Sequence, residues 1–520
     1  MFSKSLIAQL NLQLDNLLGS LKYIAPELLL TGWFVLVIVL DLVFTTRKSL
    51  KPYKKQGLWW VSLVGLGLVI FTLFAQLSLV GKGSKPDLFL GLLTLDTLSI
   101  KFRLIIDFAA VFTLLISRNS RLFAPVTPLK TFKYRGEYFA LILAMLLGLH
   151  LLTMTTHLLM VYVAIELVSL SSYVLTILYF NKKGIEGALK YLLFGAFASG
   201  LMIYGMSWLY GLSGGLSIAA FVANIATPAA MLNTIAALLV LAGILFKISA
   251  VPFHFWTPDA YQVAPTPVVA FFSIAPKAAL LALLLKLNPL FRMLFAEATT
   301  QDFARQVILL LGAIAIVTVL VGNFTALWQT NAKRLLAYST IAHVGILLMG
   351  WLDLRAISST YLTFYLATYT LMNFGAFLGV EMVARNFQDS ERPYALKHFK
   401  GIGVKHPLVG VSMLVLVIAL TGLPPTVGFQ AKLFIFSGLW ENYQAQAGQS
   451  IYLYALIAAA FTTAVALFYY LRIPFFMFFK NEETERSLSF SRYDQALLVV
   501  FALAVVALFF RADLLFGLLQ

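Results

Sequence analysis

The sequence predicts an all-α polytopic membrane protein with about fourteen transmembrane helices, and three observations support this fold class. Of the 520 residues, 61% are hydrophobic and 12% are charged, whereas a soluble domain carries about 45–50% apolar and about 25% charged residues. Apolar stretches of about 18 residues or more recur along the chain, and each can cross a hydrocarbon core roughly 30 Å thick as a helix. The short alternating segments of a membrane β-barrel are not evident.

Hydropathy locates the individual spans. The residues before the first span read as an amphipathic lead into it, and the seventh and twelfth spans are interrupted. The predicted spans are 26–45, 58–80, 97–117, 138–155, 158–180, 187–211, 230–260, 265–288, 305–327, 334–353, 357–384, 407–440, 450–479 and 494–517.

Proline and glycine break two of these spans, each time beside a lysine. In the seventh span the segment SAVPFHFWTPDAY places Pro252 and Pro258 just after Lys247. In the twelfth span the segment LTGLPPTVGFQAKLFIFSG places a glycine and two prolines just before Lys432. Proline removes an amide donor and clashes with the preceding turn. Such breaks persist at membrane depth only where they are buried in protein or line a hydrated cavity.

The spacing of the two broken spans predicts an internal repeat. They lie five spans apart, and because five is odd, spans four to eight and nine to thirteen have opposite topologies. Inverted repeats with broken helices are typical of transporters that hold an ion site near the bilayer midplane. We therefore predict an N-terminal three-helix region (1–137), a first five-helix repeat (138–288), an inverted second repeat (305–480) and a C-terminal helix (481–520).

The charge distribution predicts the orientation in the membrane. The formal net charge is +16, and most Lys and Arg residues lie in loops on one side of the predicted topology. Cytoplasmic loops are enriched in these residues, so both termini are expected on the non-cytoplasmic side, and a bacterial inner membrane is the expected location. This bias explains the positive charge without a nucleic-acid partner.

Several kinds of chemistry are absent from the sequence. It contains no cysteine, which excludes disulfides, thiolate zinc sites and cysteine-ligated iron–sulfur clusters in this chain. It also lacks a Walker A sequence, an HExxH motif and a GxGxxG after a strand. His254 and Asp259 have no third ligand near them in the sequence, which is a weak metal signal. We expect no metal or cofactor in this chain, so its energy source lies elsewhere.

Five titratable residues inside apolar spans are the candidate site: Glu166, Lys247, Lys277, His343 and Lys432. A charge at the bilayer centre costs at least about 2.5–3.5 kcal/mol, so an intramembrane ionisable residue is by default a functional candidate. The alternatives are a static buried ion pair for Glu166, snorkelling for Lys277 and a hydrogen-bonded core side chain for His343.

Other charges receive local explanations. Lys190 starts the sixth span near a loop and is expected to snorkel, with a contact to Glu166 as the alternative. Arg103 and Asp107 are four residues apart in the third span, which predicts a local ion pair. Glu381 lies near a span end and is expected to reach the interface, and Lys333 fits the cytoplasmic loop charge.

Several segments resemble a known family. KISAVPFHFWTPDAYQVAPTPVVAFFSIAPK, LLMVYVAIELVSLSSYVL, ALKYLLFGAFASG, KRLLAYSTIAHVG and LTGLPPTVGFQAKLFIFSG are similar to the antiporter-like subunits of respiratory complex I, whose relatives include the Mrp sodium/proton antiporters. The resemblance covers roughly residues 138–480. Within the family, WTPDAYQVAPTPV and Lys432 are most similar to the subunit N branch, called subunit 2 in mitochondria and plastids.

The resemblance implies a proton-translocating membrane subunit of NADH-quinone oxidoreductase. It implies that Lys247 is the partner of Glu166 and that the proton passes through Lys277 and His343 to Lys432. Two charges about 4 Å apart at an effective dielectric of about 20 interact by about 4 kcal/mol. Making or breaking such a pair would switch Lys247 between its charged and neutral forms.

The resemblance also implies partners and cofactors outside this chain. NADH, FMN, iron–sulfur clusters and a quinone are expected in other subunits. Subunits M and K are the expected neighbours, together with the lateral helix of subunit L and the surrounding lipid. Two alternatives stay open. One is an Mrp-type cation/proton antiporter subunit. The other is a structural spacer, for which neutralising Glu166, Lys247 and Lys432 would leave pumping intact.

Overall fold

The computed structural model describes residues 4–46, 54–80, 86–123, 135–223, 230–296, 301–387, 390, 392–445, 450–481 and 488–519. Within these ranges the chain is almost entirely helical. A small antiparallel pair, β1 (Asp87–Leu88) and β2 (Leu93–Thr94), lies before the third span.

The helices follow one another with short connections. They are α1 (Lys4–Leu21), α2 (Ala25–Thr46), α3 (Lys54–Val80), α4 (Thr97–Ser117), α5 (Arg135–Met154), α6 (Leu158–Thr176), α7 (Lys182–Ser213), α8 (Ile218–Ala223), α9 (Ala230–Ile248), α10 (Trp256–Val263), α11 (Thr266–Ala296), α12 (Gln301–Leu327), α13 (Ala332–Trp351), α14 (Ser358–Arg385), α15 (Ile402–Lys405), α16 (Pro407–Thr421), α17 (Val427–Ala445), α18 (Ile451–Phe479), α19 (Arg492–Phe510) and α20 (Ala512–Leu519). Short 3₁₀ turns cover Lys22–Ile24, Arg121–Phe123 and Leu396–Phe399.

The predicted fold class is confirmed, because a helix lies at each of the fourteen predicted spans. In the described part of the chain, eleven helices are long and apolar enough to cross a membrane. The third span, α4, is a helix of 21 residues that carries Lys101, Arg103 and Asp107. The two interrupted spans are helix pairs, α9 with α10 and α16 with α17.

Side chains at the helix ends explain several boundaries. Asp96 accepts a hydrogen bond from the Ser99 amide at 2.8 Å and so caps α4. Asn181 and Asn331 cap α7 and α13 in the same way. Such caps stabilise a helix by typically about 1 kcal/mol. Gly422 ends α16 in the left-handed conformation that glycine adopts without strain.

The helices of the two predicted units have a similar set of contacts. In the first unit α5 packs against α6 and α11, while α7 packs against α9 and α10. In the second unit α12 packs against α13 and α18, while α14 packs against α16 and α17. From Thr266 to Leu285 every residue of α11 except Pro276 is buried, and the helix also contacts α4, α12, α13 and α14. Helix α11 therefore joins the two units at the centre of the molecule.

Burial is arranged as expected for a protein in lipid. Large apolar side chains such as Phe71, Phe197 and Phe468 are exposed on the outer surface. The lysines 247, 277 and 432 and His343 are buried. Polar chemistry is therefore concentrated inside the bundle, between the helices of the two units.

Candidate functional site

Hydrogen bonds stabilise the break in the seventh span. Ser249 has φ +69°, in the left-handed region, and ends the helical path of α9. The Ala250 amide donates to a carbonyl in the last turn of α9 at 2.9 Å, and the Val251 amide donates to the Thr318 hydroxyl of α12 at 3.1 Å. Because the freed amides have partners, the break is tolerated inside the bundle.

Lys247, in the last turn of α9, lies in a cage of aromatic side chains. Its Nζ donates to the Tyr173 hydroxyl at 3.4 Å. It also lies 5.1 and 5.4 Å from the ring centroids of Tyr173 and Tyr191 and 5.4 Å from that of Phe246. Tyr191 stacks on Trp256 at 4.1 Å. Each ring face attracts an ammonium by about 0.5–1 kcal/mol when exposed, and by about 2 kcal/mol when desolvated. The cage therefore stabilises a charged lysine.

Glu166 is half-buried on α6 and does not contact Lys247 directly. In the part of the chain that the structure describes, its Oε1 has no hydrogen-bond partner, and no ion pair joins it to a cation. The direct Glu166–Lys247 contact implied by the resemblance is therefore not formed. Tyr173, seven residues later on the same face of α6, contacts the lysine instead. Glu166 still lies within electrostatic range of Lys247.

Lys277 donates a hydrogen bond to a backbone carbonyl that has no amide partner because a proline follows it in the helix. Pro276 lies inside α11 and has no amide to donate to Phe272, four residues earlier. The Nζ of Lys277 donates to that Phe272 carbonyl at 3.0 Å and to the Tyr261 hydroxyl at 3.1 Å. The ring of Trp256 lies 5.5 Å from the same nitrogen. Trp256 thus lies beside Lys277 and stacks on Tyr191, whose ring lies over Lys247.

Lys432 binds the end of the other broken helix. Helix α16 ends at Thr421, and the Nζ of Lys432 donates to the Thr421 carbonyl at 2.6 Å. Carbonyls in the last turn of a helix have no intrahelical partner and form the negative end of the helix dipole. A Cβ on Gly422 would lie 2.7 Å from the Cδ of Lys432. Glycine is therefore needed there for both its backbone angle and its size.

His343 is surrounded by tyrosines from two other helices. Its Nδ1 lies 2.6 Å from the Tyr365 hydroxyl and its Nε2 3.3 Å from the Tyr470 hydroxyl. Its ring stacks on Tyr369 at 4.2 Å. His343 and Lys432 line one small cavity. The centre of a water-sized sphere can occupy about 10 Å³ inside it. That is close to the minimum for a single water molecule.

The five predicted residues form a row across the two units. Lys247 and Lys277 lie within electrostatic range of each other, as do His343 and Lys432. Tyr261 bonds to Lys277 and lies within electrostatic range of Tyr369, which stacks on His343. The row begins near Glu166 on α6 and ends at Lys432 on α17. The roles of these residues as proton carriers stay predictions.

Comparison with known proteins identifies the family. The model of the NADH:quinone oxidoreductase/Mrp antiporter transmembrane family matches residues 155–462. The chain belongs to this family. The match includes every residue of the row and both broken helices.

Individual members of the NADH:quinone oxidoreductase/Mrp antiporter family resemble the chain over most of its length. NADH-quinone oxidoreductase subunit N 2 of Chloroherpeton thalassium is 36% identical over 482 residues, which cover 91% of this chain and 88% of that protein. A chain of respiratory complex I from Thermus thermophilus superimposes with a TM-score of 0.73 at 31% identity, covering 95% of this chain and 98% of that one. The resemblance to subunit N is confirmed.

The fold also matches the antiporter side of the family. A chain of the Mrp complex from Dietzia sp. superimposes with a TM-score of 0.76 at 19% identity, covering 95% of this chain and 96% of that chain. At this identity the likeness concerns the fold alone.

The sequence did not identify the aromatic side chains that complete this family site. Four of them lie in segments already noted for the resemblance, SLSSYVL, ALKYLLFGAFASG and FWTPDAY, so their position near Lys247 and Lys277 could have been suspected. The others lie on helices whose contact with the site depends on the tertiary fold. The residues are Tyr173, Tyr191, Trp256, Tyr261, Tyr365, Tyr369 and Tyr470.

Lys190 behaves as a surface lysine. Its side chain is 45% exposed, and its Nζ lies 2.7 Å from Glu186 and 3.6 Å from Asp259. The alternative contact to Glu166 is not formed within the described part of the chain. Lys190 therefore lies outside the buried row.

The prediction for Glu381 is wrong, and Lys333 lies in helix α13 rather than in a loop. Glu381 does not reach the interface. It is fully buried and accepts hydrogen bonds from the Arg121 amide at 2.8 Å and the Thr266 hydroxyl at 2.5 Å. Lys333 is also fully buried, and its Nζ donates to the Ala264 carbonyl at 2.5 Å, just after α10. Both side chains tie helix ends together, because the freed donors and acceptors there need partners.

The prediction of a local ion pair between Arg103 and Asp107 is also wrong. Arg103 bonds to Glu27 of α2 at 2.7 Å, and Asp107 bonds to His150 of α5 at 2.9 Å. The four-residue spacing allows a local pair, but partners on neighbouring helices take both side chains.

Proposed function

We propose that the chain is the subunit N component of NADH-quinone oxidoreductase, in which it translocates protons across the membrane. The observation that carries this proposal is the row of buried titratable side chains from Glu166 to Lys432, which crosses both broken helices. Its membership of an enzyme complex makes it part of a translocase. The redox reactions belong to other subunits, which are expected to hold NADH, FMN, iron–sulfur clusters and a quinone.

The proton moves along the row by local transfers. Lys247 and Lys277 lie within electrostatic range, so a proton on one favours release from the other. Tyr261 and Tyr369 connect Lys277 to His343. A neutral imidazole accepts a proton at one nitrogen while it releases one from the other. Lys432 shares the cavity of His343 and is the exit-side lysine.

The interaction energies within the row are comparable to the cost of moving a proton against the membrane potential. Raising one charge against about 150–200 mV costs roughly 3.5–4.6 kcal/mol. Two charges about 4 Å apart at an effective dielectric of about 20 interact by about 4 kcal/mol. Because Glu166 and Lys247 are not in direct contact, their coupling in this structure is weaker, and closing the gap between them would strengthen it. The switch therefore includes a movement of α6 against α9.

The surroundings of the chain follow from the same proposal. The partners are other membrane subunits of the complex, with M and K as neighbours and the lateral helix of L along the surface. The location is a bacterial inner membrane with both termini on the non-cytoplasmic side, and the two repeats occupy 138–288 and 305–480. The second candidate, an Mrp-type cation/proton antiporter subunit, is favoured by the shared fold, whereas Lys432 in place of a glutamate disfavours it.

The test is Lys247→Ala in the assembled complex, reconstituted in proteoliposomes. The variant should lose most of its proton pumping per electron while the flavin and iron–sulfur signals stay unchanged, because only the proton carrier is removed. Lys190→Ala is the matched control, since that lysine is exposed and lies outside the row, and it should pump normally. A normal proton-to-electron ratio in Lys247→Ala would contradict the proposal.

A further inference from the structure

Four buried charged or titratable side chains meet in the N-terminal helices, away from the row. They are Glu27 on α2, Arg103 and Asp107 on α4, and His150 on α5, and none is more than 4% exposed. Burying an isolated charge in a protein interior costs several kcal/mol, so such groups are kept only with partners or for a function.

The contacts of His150 determine how many protons this cluster holds. Its Nδ1 lies 3.0 Å from Glu27 Oε1, and its Nε2 lies 2.9 Å from Asp107 Oδ1. A hydrogen bond needs one proton between its two atoms. A carboxylate and an unprotonated ring nitrogen are both acceptors, so they cannot bond to each other without an added proton. Two protons are therefore shared among the ring and the two carboxyl groups.

These two protons have more than one arrangement of equal total charge. The ring can carry both as an imidazolium between two carboxylates, or a neutral ring can face one carboxylic acid. With the Arg103 cation, which bonds to Glu27 at 2.7 Å, the cluster is neutral in each case. Moving a proton from Asp107 to Glu27 through the ring thus leaves the net charge unchanged. Such an exchange avoids the cost of creating a new buried charge.

The cluster also has room for a third proton. Within the described ranges, Glu27 Oε2 and Asp107 Oδ2 are buried and have no hydrogen-bond partner. Buried polar atoms are nearly always bonded, so each of these two oxygens has the capacity to take part in a further hydrogen bond. Either oxygen can accept a proton without breaking a contact of His150.

A polar stripe connects the cluster to the surface at which α4 begins. Asp96, Ser99, Arg103 and Asp107 follow one another at helical spacing along α4, and the stripe extends about 16 Å into the bundle at about 1.5 Å per residue. Asp96 has 23% of its side chain exposed and lies 3.6 Å from Lys286 of α11. The Arg103 guanidinium donates to the Ser99 carbonyl at 3.3 Å. The charge pattern predicts that this surface is the non-cytoplasmic one.

We propose that Glu27, His150 and Asp107, together with Arg103, form a second proton-exchange site, which loads and releases protons at the membrane face where α4 begins. The inference rests on the proposed function, since it gives the translocated proton a buried acceptor near one surface. Glu27, Arg103 and Asp107 lie on α2 and α4, outside both five-helix repeats, whereas His150 lies on α5, the first helix of the first repeat.

Infrared difference spectroscopy of the assembled complex during redox turnover tests this directly. A carboxyl group that changes its protonation produces a carbonyl-stretching band. The band should be lost in Glu27→Gln and Asp107→Asn, and these variants and His150→Gln should pump fewer protons per electron. Thr113→Val is the matched control, because Thr113 is a buried polar residue of α4 whose hydroxyl donates to the Ala109 carbonyl of the same helix. It should keep the band and the proton-to-electron ratio.

The outcomes separate this inference from the proposed function. If the carboxyl variants keep both the band and the ratio while Lys247→Ala loses pumping, the cluster is a static ion-pair network and only the inference is overturned. If Lys247→Ala also pumps normally, the proposed function is overturned as well. The complex of all three cluster variants could also fail to assemble while that of Thr113→Val assembles. This result would assign the cluster a structural role and overturn the inference.

Discussion

The two broken helices hold their lysines in different ways. Lys247 lies before its break, and aromatic rings with one tyrosine hydroxyl surround it. Lys432 lies after its break and bonds to the Thr421 carbonyl, at the negative end of α16. The first site is lined by aromatic rings. The second borders a cavity in which the centre of a water-sized sphere can occupy about 10 Å³, close to the minimum for one water molecule.

The two sites share one property despite their different surroundings. Neither lysine is paired directly with a carboxylate in the part of the chain that the structure describes. If a buried ion pair lost the proton of its lysine, an unpaired carboxylate would be left, which costs about 3–5 kcal/mol. Rings and carbonyl dipoles stabilise an ammonium, yet they remain neutral when it becomes an amine. Both environments therefore allow a lysine to lose and regain its proton inside the membrane.

The largest expected effect comes from replacing Lys432. Lys432→Met keeps the volume of the side chain and removes the proton carrier, so proton pumping by the reconstituted complex should be mostly lost while electron transfer centres are retained. Lys432→Arg sharpens the test, because a guanidinium keeps the charge but does not release its proton at physiological pH. We expect Lys432→Arg to pump as poorly as Lys432→Met.

Restored pumping in Lys432→Arg would instead show that the second site needs only a fixed positive charge at the end of α16. The comparison between the two broken helices would then become one between a proton carrier and a helix cap.

A smaller effect is expected from Gly422→Ala. Gly422 has φ +85°, and the left-handed conformation costs a residue with a Cβ about 1–2 kcal/mol. The new Cβ would also lie 2.7 Å from Lys432 Cδ, so the lysine must move away from the Thr421 carbonyl. Thermal stability of the complex should fall by the backbone cost, and proton pumping should fall in addition.

Gly214→Ala separates the two causes of the Gly422→Ala effect. Gly214 ends α7 with φ +70°, and among the described residues no atom lies within 4 Å of a Cβ placed there. The backbone strain is therefore matched, whereas the site is untouched. Equal losses of stability with normal pumping in Gly214→Ala are expected; equal losses of pumping in both variants would argue that only helix stability matters.

Much of the fold could be predicted from the sequence, for a physical reason. Hydropathy locates spans because lipid forces backbone groups to bond within a helix. The range predicted for the third span, 97–117, is the range of α4. The boundary of the seventh span could not be obtained this way, because α9 ends at Ile248 and the Val251 amide beyond it bonds to Thr318 on a distant helix.

The candidate site was predictable in its lysines and histidine and not in their surroundings. A buried charge is visible in the sequence because its burial is costly. Its partners come from other helices, as Arg103 and Asp107 demonstrate by bonding to Glu27 and His150 rather than to each other. Glu166 illustrates the same limit, since the hydroxyl of Tyr173 occupies the contact to Lys247 that the resemblance gave to the carboxylate.

The smallest expected effect concerns that hydroxyl. Tyr173→Phe keeps the ring over Lys247 and removes the hydroxyl to which Lys247 donates at 3.4 Å. A hydrogen bond of this kind contributes about 0.5–1.5 kcal/mol, so the proton affinity of Lys247 should fall by roughly two- to tenfold. The pumping rate should change by no more than that factor. Tyr204→Phe, at an exposed position on α7, is the control and should behave as the unmodified complex.

Complete loss of pumping in Tyr173→Phe would mean that the hydroxyl itself carries the proton from Glu166 to Lys247, because a ring cage alone still stabilises the ammonium. The first site would then transfer protons through a tyrosine, where the second site is expected to use a water molecule.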